Sequence, residues 1–214
     1  SFGLFNALNL AYQFFMARFL SVEDYGVLAS VFVIVYISSV FSESIQNFVV
    51  KCTSNESDIG RIKNFINRIS KKIGKICIPI VIAYLILILG LSKLLNINYW
   101  LLAFAGAVMV LSLFIPITRG VMQGKKKFKS LSINMVLEAS IKLVGGSILV
   151  LFCAKVFGAI VGGVLASLVG FLFSRFQLRE IYSAKESFIE TKENRTYILP
   201  TFILTAVVVI FYSL

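Results

Sequence analysis

The sequence predicts an all-α integral membrane protein: a six-helix transmembrane lobe followed by the start of a seventh helix. Two observations carry that reading. Seven apolar runs follow one another through the 214 residues, at about 2–20, 27–50, 76–95, 99–118, 131–153, 157–176 and 198–214. Most reach the ~20 residues that a helix needs to cross a ~30 Å hydrocarbon layer. The runs are also apolar nearly all round, which a helix facing water does not tolerate. Composition agrees, with 58% hydrophobic against 14% charged residues and a mean hydropathy of +0.91. Helices satisfy their own backbone hydrogen bonds in lipid, and the alternating strands of a barrel are absent.

The connections fix the orientation. Of 21 Lys and Arg, seven lie in 51–75, five in 119–129 and five in 175–195, which are alternate gaps between runs. The other gaps carry only Arg18, Lys93 and Lys155 at or near their edges. This positive-inside asymmetry predicts a cytoplasmic N-terminus and three cytoplasmic basic segments. Those segments suit the anionic headgroups of membrane lipids. The same distribution explains the net charge of +11 without nucleic acid, which is not expected as a partner.

Taken in order, the first run carries Asn6, Asn9 and Gln13 on one face, with Tyr12 beside them. Arg18 ends it, just before Glu23 and Asp24, and is expected to tie down the outer turn 21–26. The second run holds Ser39, Ser42, Glu43 and Gln46. Residues 57–75 then place Ile59, Ile62, Phe65, Ile66, Ile69 and Ile73 at helical spacing, opposite Arg61, Lys63, Arg68, Lys71 and Lys72. That is a basic amphipathic helix, lying at the inner surface or extending the third run inward. Pro79 falls near the inner start of the third run, where a kink costs little.

The short turns 96–98 and 154–156 make their neighbours antiparallel. Tyr25, Tyr99, Trp100 and Phe157 mark the outer ends, where rings bridge wet and dry zones. The fourth run ends in Ser112, Pro116, Thr118 and Arg119. The fifth holds Asn134, Glu138 and Lys142, spaced by four and therefore within one sector of roughly 80°. Glu138 and Lys142 are placed to pair. Gly145 and Gly146 thin the helix beside them. The sixth run repeats small residues at Gly158, Gly162, Ala166 and Gly170, a stripe that lets another helix approach closely. Residues 177–197 are polar and mixed in charge and read as a solvated cytoplasmic linker, with a helix left open within it. The domains are then 1–176 for the lobe, 177–197 for the linker and 198–214 for the first helix of a second lobe. Opening with Ser1 inside one apolar run and stopping at Leu214 inside another, the chain reads as an excerpt.

Ionisable groups inside a span cost several kcal/mol if they face lipid, so they face protein or water. Glu43, Glu138 and Lys142 would lie at similar depth. Two readings stay open: a Glu138–Lys142 pair that locks the fifth helix, or a wet cavity bordered by polar stripes on four helices. Cofactors are not expected. Histidine is absent, Cys52, Cys77 and Cys153 show no metal spacing, and no aspartate lies within a span. An enzyme therefore has no visible machinery, and a metal has no ligand set. No GxGxxG or Walker spacing is present.

Three stretches carry a family resemblance. ARFLSVEDYG at 17–26 resembles the turn ending the first helix of polysaccharide flippases. RGVMQGKKKF at 119–128 resembles their Arg-Gly-x-x-x-Gly-x-x-x-Phe loop after the fourth helix, and LEASIKL around Glu138 fits their Glu-plus-basic pattern. The family is the oligosaccharide flippase group of the multidrug/oligosaccharidyl-lipid/polysaccharide exporter superfamily. The resemblance implies two six-helix lobes around a central cavity, alternating access, and movement of lipid-linked oligosaccharide across a prokaryotic cytoplasmic membrane. Under that expectation the polar residues read above give a substrate path along Lys142, Glu138, Glu43, Asn134, Arg119, Gln13, Asn9 and Gln46, while Arg18, Gly158, Gly162 and Gly170 are read as structural. Glycan polymerases or glycosyltransferases are the expected protein partners, and proton or sodium coupling is unassigned. The alternative is a cation-coupled multidrug antiporter of the same superfamily, working through Glu43 and Glu138.

Overall fold

A computed structural model describes residues 2–187. The seventh apolar run and linker residues 188–197 lie outside the described residues, as does the side chain of Cys153. The chain runs through α1 (Phe2–Phe19), α2 (Val22–Ser54), α3 (Ile59–Leu95), α4 (Tyr99–Gly124), α5 (Phe128–Leu149), a π-helical turn (Val150–Ala154), α6 (Lys155–Gln177) and α7 (Arg179–Ser183). No strand occurs among the described residues. Five segments are long and apolar enough to cross a membrane: α2, α3, α4, Phe128–Phe152 and α6. The chain is a multi-pass membrane protein.

The sixth expected span, α1, is not among those five. Its 18 residues give a length of about 27 Å, and Asn6, Asn9, Gln13 and Arg18 dilute its apolar surface. By contrast α2 and α3 have 33 and 37 residues, far more than the ~20 a bilayer needs. Both therefore extend past the apolar layer at the end that carries the basic connections. The amphipathic stretch is the first half of α3, continuous with the span beyond it. Ile62 and Ile66 are buried, while Arg61, Arg68, Lys71 and Lys72 are exposed. Pro79 sits within α3 and Pro116 within α4, and both helices continue through them.

Side-chain caps set three of the starts. Ser21 accepts from the Asp24 N–H at 3.1 Å, Asp58 from the Gly60 N–H at 2.8 Å and Asn98 from the Trp100 N–H at 2.9 Å. Each satisfies one of the amide donors that a helix start leaves without a partner. Asn96 ends α3 in the left-handed region, φ 52°.

Two buried apolar clusters brace the ends of the bundle. Tyr12, Met16, Leu28, Ile88, Leu102 and Ile160 belong to the cluster away from the basic connections. Val49, Ile62, Ile66, Val121, Met122 and Leu178 belong to the one beside them. The main helix neighbours are α2 with α4, α5 with α6, α4 with α6, and α1 with α5.

The start of the expected solvated linker is ordered against the bundle. Leu178 and Ile181 are buried in the basic-end cluster. Residues 184–187 then run along α3 as a strap. Lys63 Nζ donates to Ala184 O at 2.8 Å, Asn67 Nδ2 to Glu186 Oε1 at 2.6 Å and Ser187 Oγ to Asp58 Oδ2 at 2.7 Å. Gly60 makes room for it, because a Cβ there would lie 2.4 Å from the Lys185 carbonyl oxygen. Nearby, the Arg175 guanidinium sits 4.8 Å from the Tyr182 ring centroid. Burial pushes the Tyr182 hydroxyl above its ordinary pKa, against the opposing effect of Arg175.

The Ser187 hydroxyl and the Gly60 N–H hold the Asp58 carboxyl below its ordinary pKa. A carboxylate with a depressed folded pKa stabilises above its unfolded value, and that contribution is lost as pH falls through the folded one. The strap is therefore expected to hold through neutral pH and to loosen only under acid. Asp58→Ala should release it at neutral pH, seen as faster hydrogen exchange at 184–187 with the spans unchanged. Unchanged exchange would show that Lys63 and Asn67 hold the strap without Asp58.

Candidate functional site

The polar centre of the bundle is built where α4, α5 and α6 meet. Gly120 brings α4 against α2, since a Cβ there would lie 2.8 Å from Val49 Cβ and 2.9 Å from the Gln46 carbonyl oxygen. That contact sets the rotation of α4 and directs the preceding residue, Arg119, across to α5. Its Nε–H donates to Asn134 Oδ1 at 3.0 Å, and its terminal nitrogen forms a close ion pair with Glu138 Oε2. Asn134 is fully buried and donates through Nδ2 to the Gly170 carbonyl at 2.7 Å. Ser167 Oγ donates to Glu138 Oε1 at 3.5 Å. Close by, Ser174 Oγ donates to Thr118 Oγ1 at 2.8 Å. The Arg119 and Glu138 side chains keep 14% and 19% exposure, so the pair is neither sealed nor fully solvated.

Lys142 lies one turn further along α5, about 6 Å on. Its Nζ donates to Asn9 Oδ1 at 3.2 Å, and it sits 4.6 Å and 5.2 Å from the ring centroids of Tyr12 and Phe32. The Tyr12 hydroxyl donates to the Ala159 carbonyl at 3.2 Å, which holds the ring in place. No carboxylate lies within ion-pair distance of Lys142 among the described residues. The expected ion pair along α5 is thus replaced by two contacts that leave the helix. Glu138 turns to the guanidinium arriving from α4, and Lys142 turns to α1 and α2. A planar guanidinium with several donors matches a carboxylate better than an ammonium one turn away.

The other expected residues divide. Gln46 Nε2 donates to Gln123 Oε1 at 2.9 Å, and Ser42 Oγ to the Ser112 carbonyl at 2.5 Å, both between α2 and α4. Gln13 accepts from the Tyr25 hydroxyl at 3.4 Å. Glu43 is exposed, without a hydrogen bond or ion pair among the described residues, and does not join Glu138 and Lys142. Arg18 is likewise exposed and has no partner among the described residues. The turn it was expected to tie is held by the Ser21 cap and by Asp24, which lies 3.7 Å from Lys155 Nζ.

The α6 stripe packs on α5 and the turn after it. A Cβ on Gly158 would meet the Leu149 carbonyl carbon at 2.7 Å, one on Gly162 the Gly146 Cα at 2.5 Å, and one on Gly170 the Glu138 Oε2 at 2.9 Å. An apolar hollow of about 170 Å³ opens between α3 and α4 beside Tyr84 and Gly106, and one of about 500 Å³ at the end beside Trp100. Neither is bordered by Lys142, Glu138 or Arg119. The stripes mostly bind one another or backbone, and a partly exposed charged seam remains. No group of acidic, Cys or His residues able to hold a metal occurs among the described residues.

From the sequence Arg119 has no assigned partner, Ser167 shows only as a small residue beside the α6 stripe, and neither Ser174 nor the Asp24–Lys155 pair stands out. The usable signal was positional, since Arg119 stands within one membrane depth of Glu138 on a neighbouring antiparallel helix. A family model described as polysaccharide biosynthesis protein matches residues 15–213. No curated protein and no solved structure matches the chain.

Proposed function

We propose that this chain, which belongs to the polysaccharide biosynthesis protein family matched over residues 15–213, is the first lobe of a flippase for lipid-linked oligosaccharide. The family match itself supports a role in polysaccharide export. The finer reading is supported above all by Lys142, a cation deep in a span whose close partners are an amide oxygen and two aromatic faces. Such a charge is costly in a bilayer unless water or an anion can reach it. A pyrophosphate-linked substrate supplies that anion. Arg119, paired with Glu138 one turn before Lys142, commits two of its nitrogens to Asn134 and Glu138. A guanidinium carries five N–H donors, so some remain for phosphate oxygens.

In this mechanism a second lobe closes the partly exposed seam into a cavity, and the lobes rock to expose it to each side in turn. The work is transport and not bond chemistry, and it needs no cofactor; a proton or sodium gradient is the candidate drive. Charge asymmetry supports a cytoplasmic N-terminus and cytoplasmic basic connections, and the membrane in this reading is the plasma membrane of a prokaryotic cell. The partners are then the lipid-linked glycan, membrane lipids, and the glycosyltransferases or polymerase acting before and after it.

Lys142→Ala in the full-length protein should reduce surface glycan at least about tenfold, the equivalent of ~1.4 kcal/mol, at unchanged protein abundance. Normal export at normal abundance would remove Lys142 from the path. The exposed Glu43 favours a second reading, a cation-coupled antiporter of small molecules. Glu43→Gln separates the two: loss of drug efflux with intact glycan export supports the antiporter, and the reverse supports the flippase.

A further inference from the structure

We propose that the groove at the end of the lobe opposite the basic connections is a sugar-binding site, taking pyranose units of a glycan on the outer side of the membrane. This rests on the flippase reading and adds to it a second place where the glycan is held. The groove is open on one side and offers about 500 Å³, inside the ~300–1,000 Å³ range of small-molecule sites. It forms where the starts of α2, α4 and α6 come together. Phe104 and Phe157 meet edge to face, with ring centroids 4.9 Å apart, and give it an apolar wall. Trp100 borders it at 65% exposure, with its backbone N–H held by Asn98 Oδ1 at 2.9 Å.

The polar border is equally specific. Asn98 uses its carbonyl on that cap and keeps its NH₂ as a donor. Asn96 stands two residues earlier in the left-handed region, and its side chain has no hydrogen-bond partner among the described residues. The Asp24–Lys155 pair, 3.7 Å apart, adds a carboxylate and an ammonium. A pyranose has a flat C–H face and a border of hydroxyls. A broad aromatic ring takes the first, and amides with an ion pair take the second. An interfacial aromatic belt accounts for a tryptophan at this depth. It does not require a hollow flanked by two asparagines and an ion pair.

Trp100 is the single tryptophan of these 214 residues, so its emission reports on this groove. The experiment titrates purified full-length protein with short soluble oligosaccharides of three classes: neutral hexose, N-acetylhexosamine and uronic acid. The Trp100→Phe protein is the blank to subtract. At least one class should give a saturable shift with a midpoint below ~10 mM, weakened about tenfold by Asn96→Ala and by Lys155→Ala. The proposal is overturned if no class moves the emission in that range. It is also overturned if glycerophosphocholine reproduces the shift, which would make Trp100 a headgroup anchor. Failure here leaves the flippase reading intact if Lys142→Ala still blocks export. Normal export in Lys142→Ala with a persisting Trp100 shift removes that reading and keeps the groove.

Discussion

Replacing Arg119 by alanine is expected to abolish glycan export and to lower the abundance of the protein in the membrane. The guanidinium joins Asn134 and Glu138 on α5, and through Asn134 it is linked to the Gly170 carbonyl on α6. Its removal strands Glu138 as a carboxylate at 19% exposure, with only the long Ser167 contact remaining. Breaking a buried pair from one side costs about 3–5 kcal/mol. Partial exposure places this seam near the lower bound, still about a hundredfold in the folded fraction. The double variant Arg119→Ala with Glu138→Ala removes the stranded charge and should recover most of the abundance. It should not recover export, because the cation that would meet phosphate is gone. Arg119→Lys keeps the charge but loses the fork, and should fold with reduced export. Surface glycan and tagged protein level, measured together, check all three. Normal export by the folded double variant would make Arg119 a packing residue only.

How much of this was legible depends on whether a property belongs to one helix or to two. The apolar runs marked α2 to α6, because hydropathy and length are local. They also marked α1, but its polar face takes it below the apolar content of the other five helices. The amphipathic spacing of 59–73 separated buried Ile62 and Ile66 from exposed Arg61 and Arg68, but it also put exposed Ile59 on the apolar face and half-buried Lys63 on the basic one. Charged residues within apolar runs pointed to Glu138, Lys142 and Glu43 alike. Only the rotation of each helix decides that Glu138 meets Arg119, Lys142 meets Asn9 and Glu43 stays exposed. That rotation is set by close approaches such as Gly120 on Val49, and a single sequence does not say which glycine touches which helix. The start of the linker was legible only in part, for the opposite reason. Its mixed charges suggested solvation, while Leu178, the residue before α7, and Ile181 within α7 carried the docking signal.

The α5–α6 contact provides the second large effect. Gly162→Leu is expected to prevent the protein from accumulating, and Gly162→Ala to weaken it clearly. A Cβ at Gly162 would lie 2.5 Å from the Gly146 Cα and 2.7 Å from its backbone nitrogen. Both are backbone atoms and cannot rotate away, so the helices must separate by about 1 Å to restore ordinary contact. In lipid, association of helices depends on such close packing, since there is no water to expel. Overpacking of this kind costs about 1–3 kcal/mol for a small addition and more for a leucine. The separation also lengthens the Asn134–Gly170 and Ser167–Glu138 hydrogen bonds, which span the same two helices. The charged seam therefore loses its geometry along with the packing. Gly163 provides the control, because a Cβ there meets nothing within 4 Å, and Gly163→Ala should accumulate and export normally. Membrane abundance and thermal unfolding in detergent distinguish the two positions. A Gly162→Leu protein as abundant and as stable as the parent would mean that α5 and α6 are not packed through these glycines, and the placement of Glu138 beside Arg119 would fall with that contact.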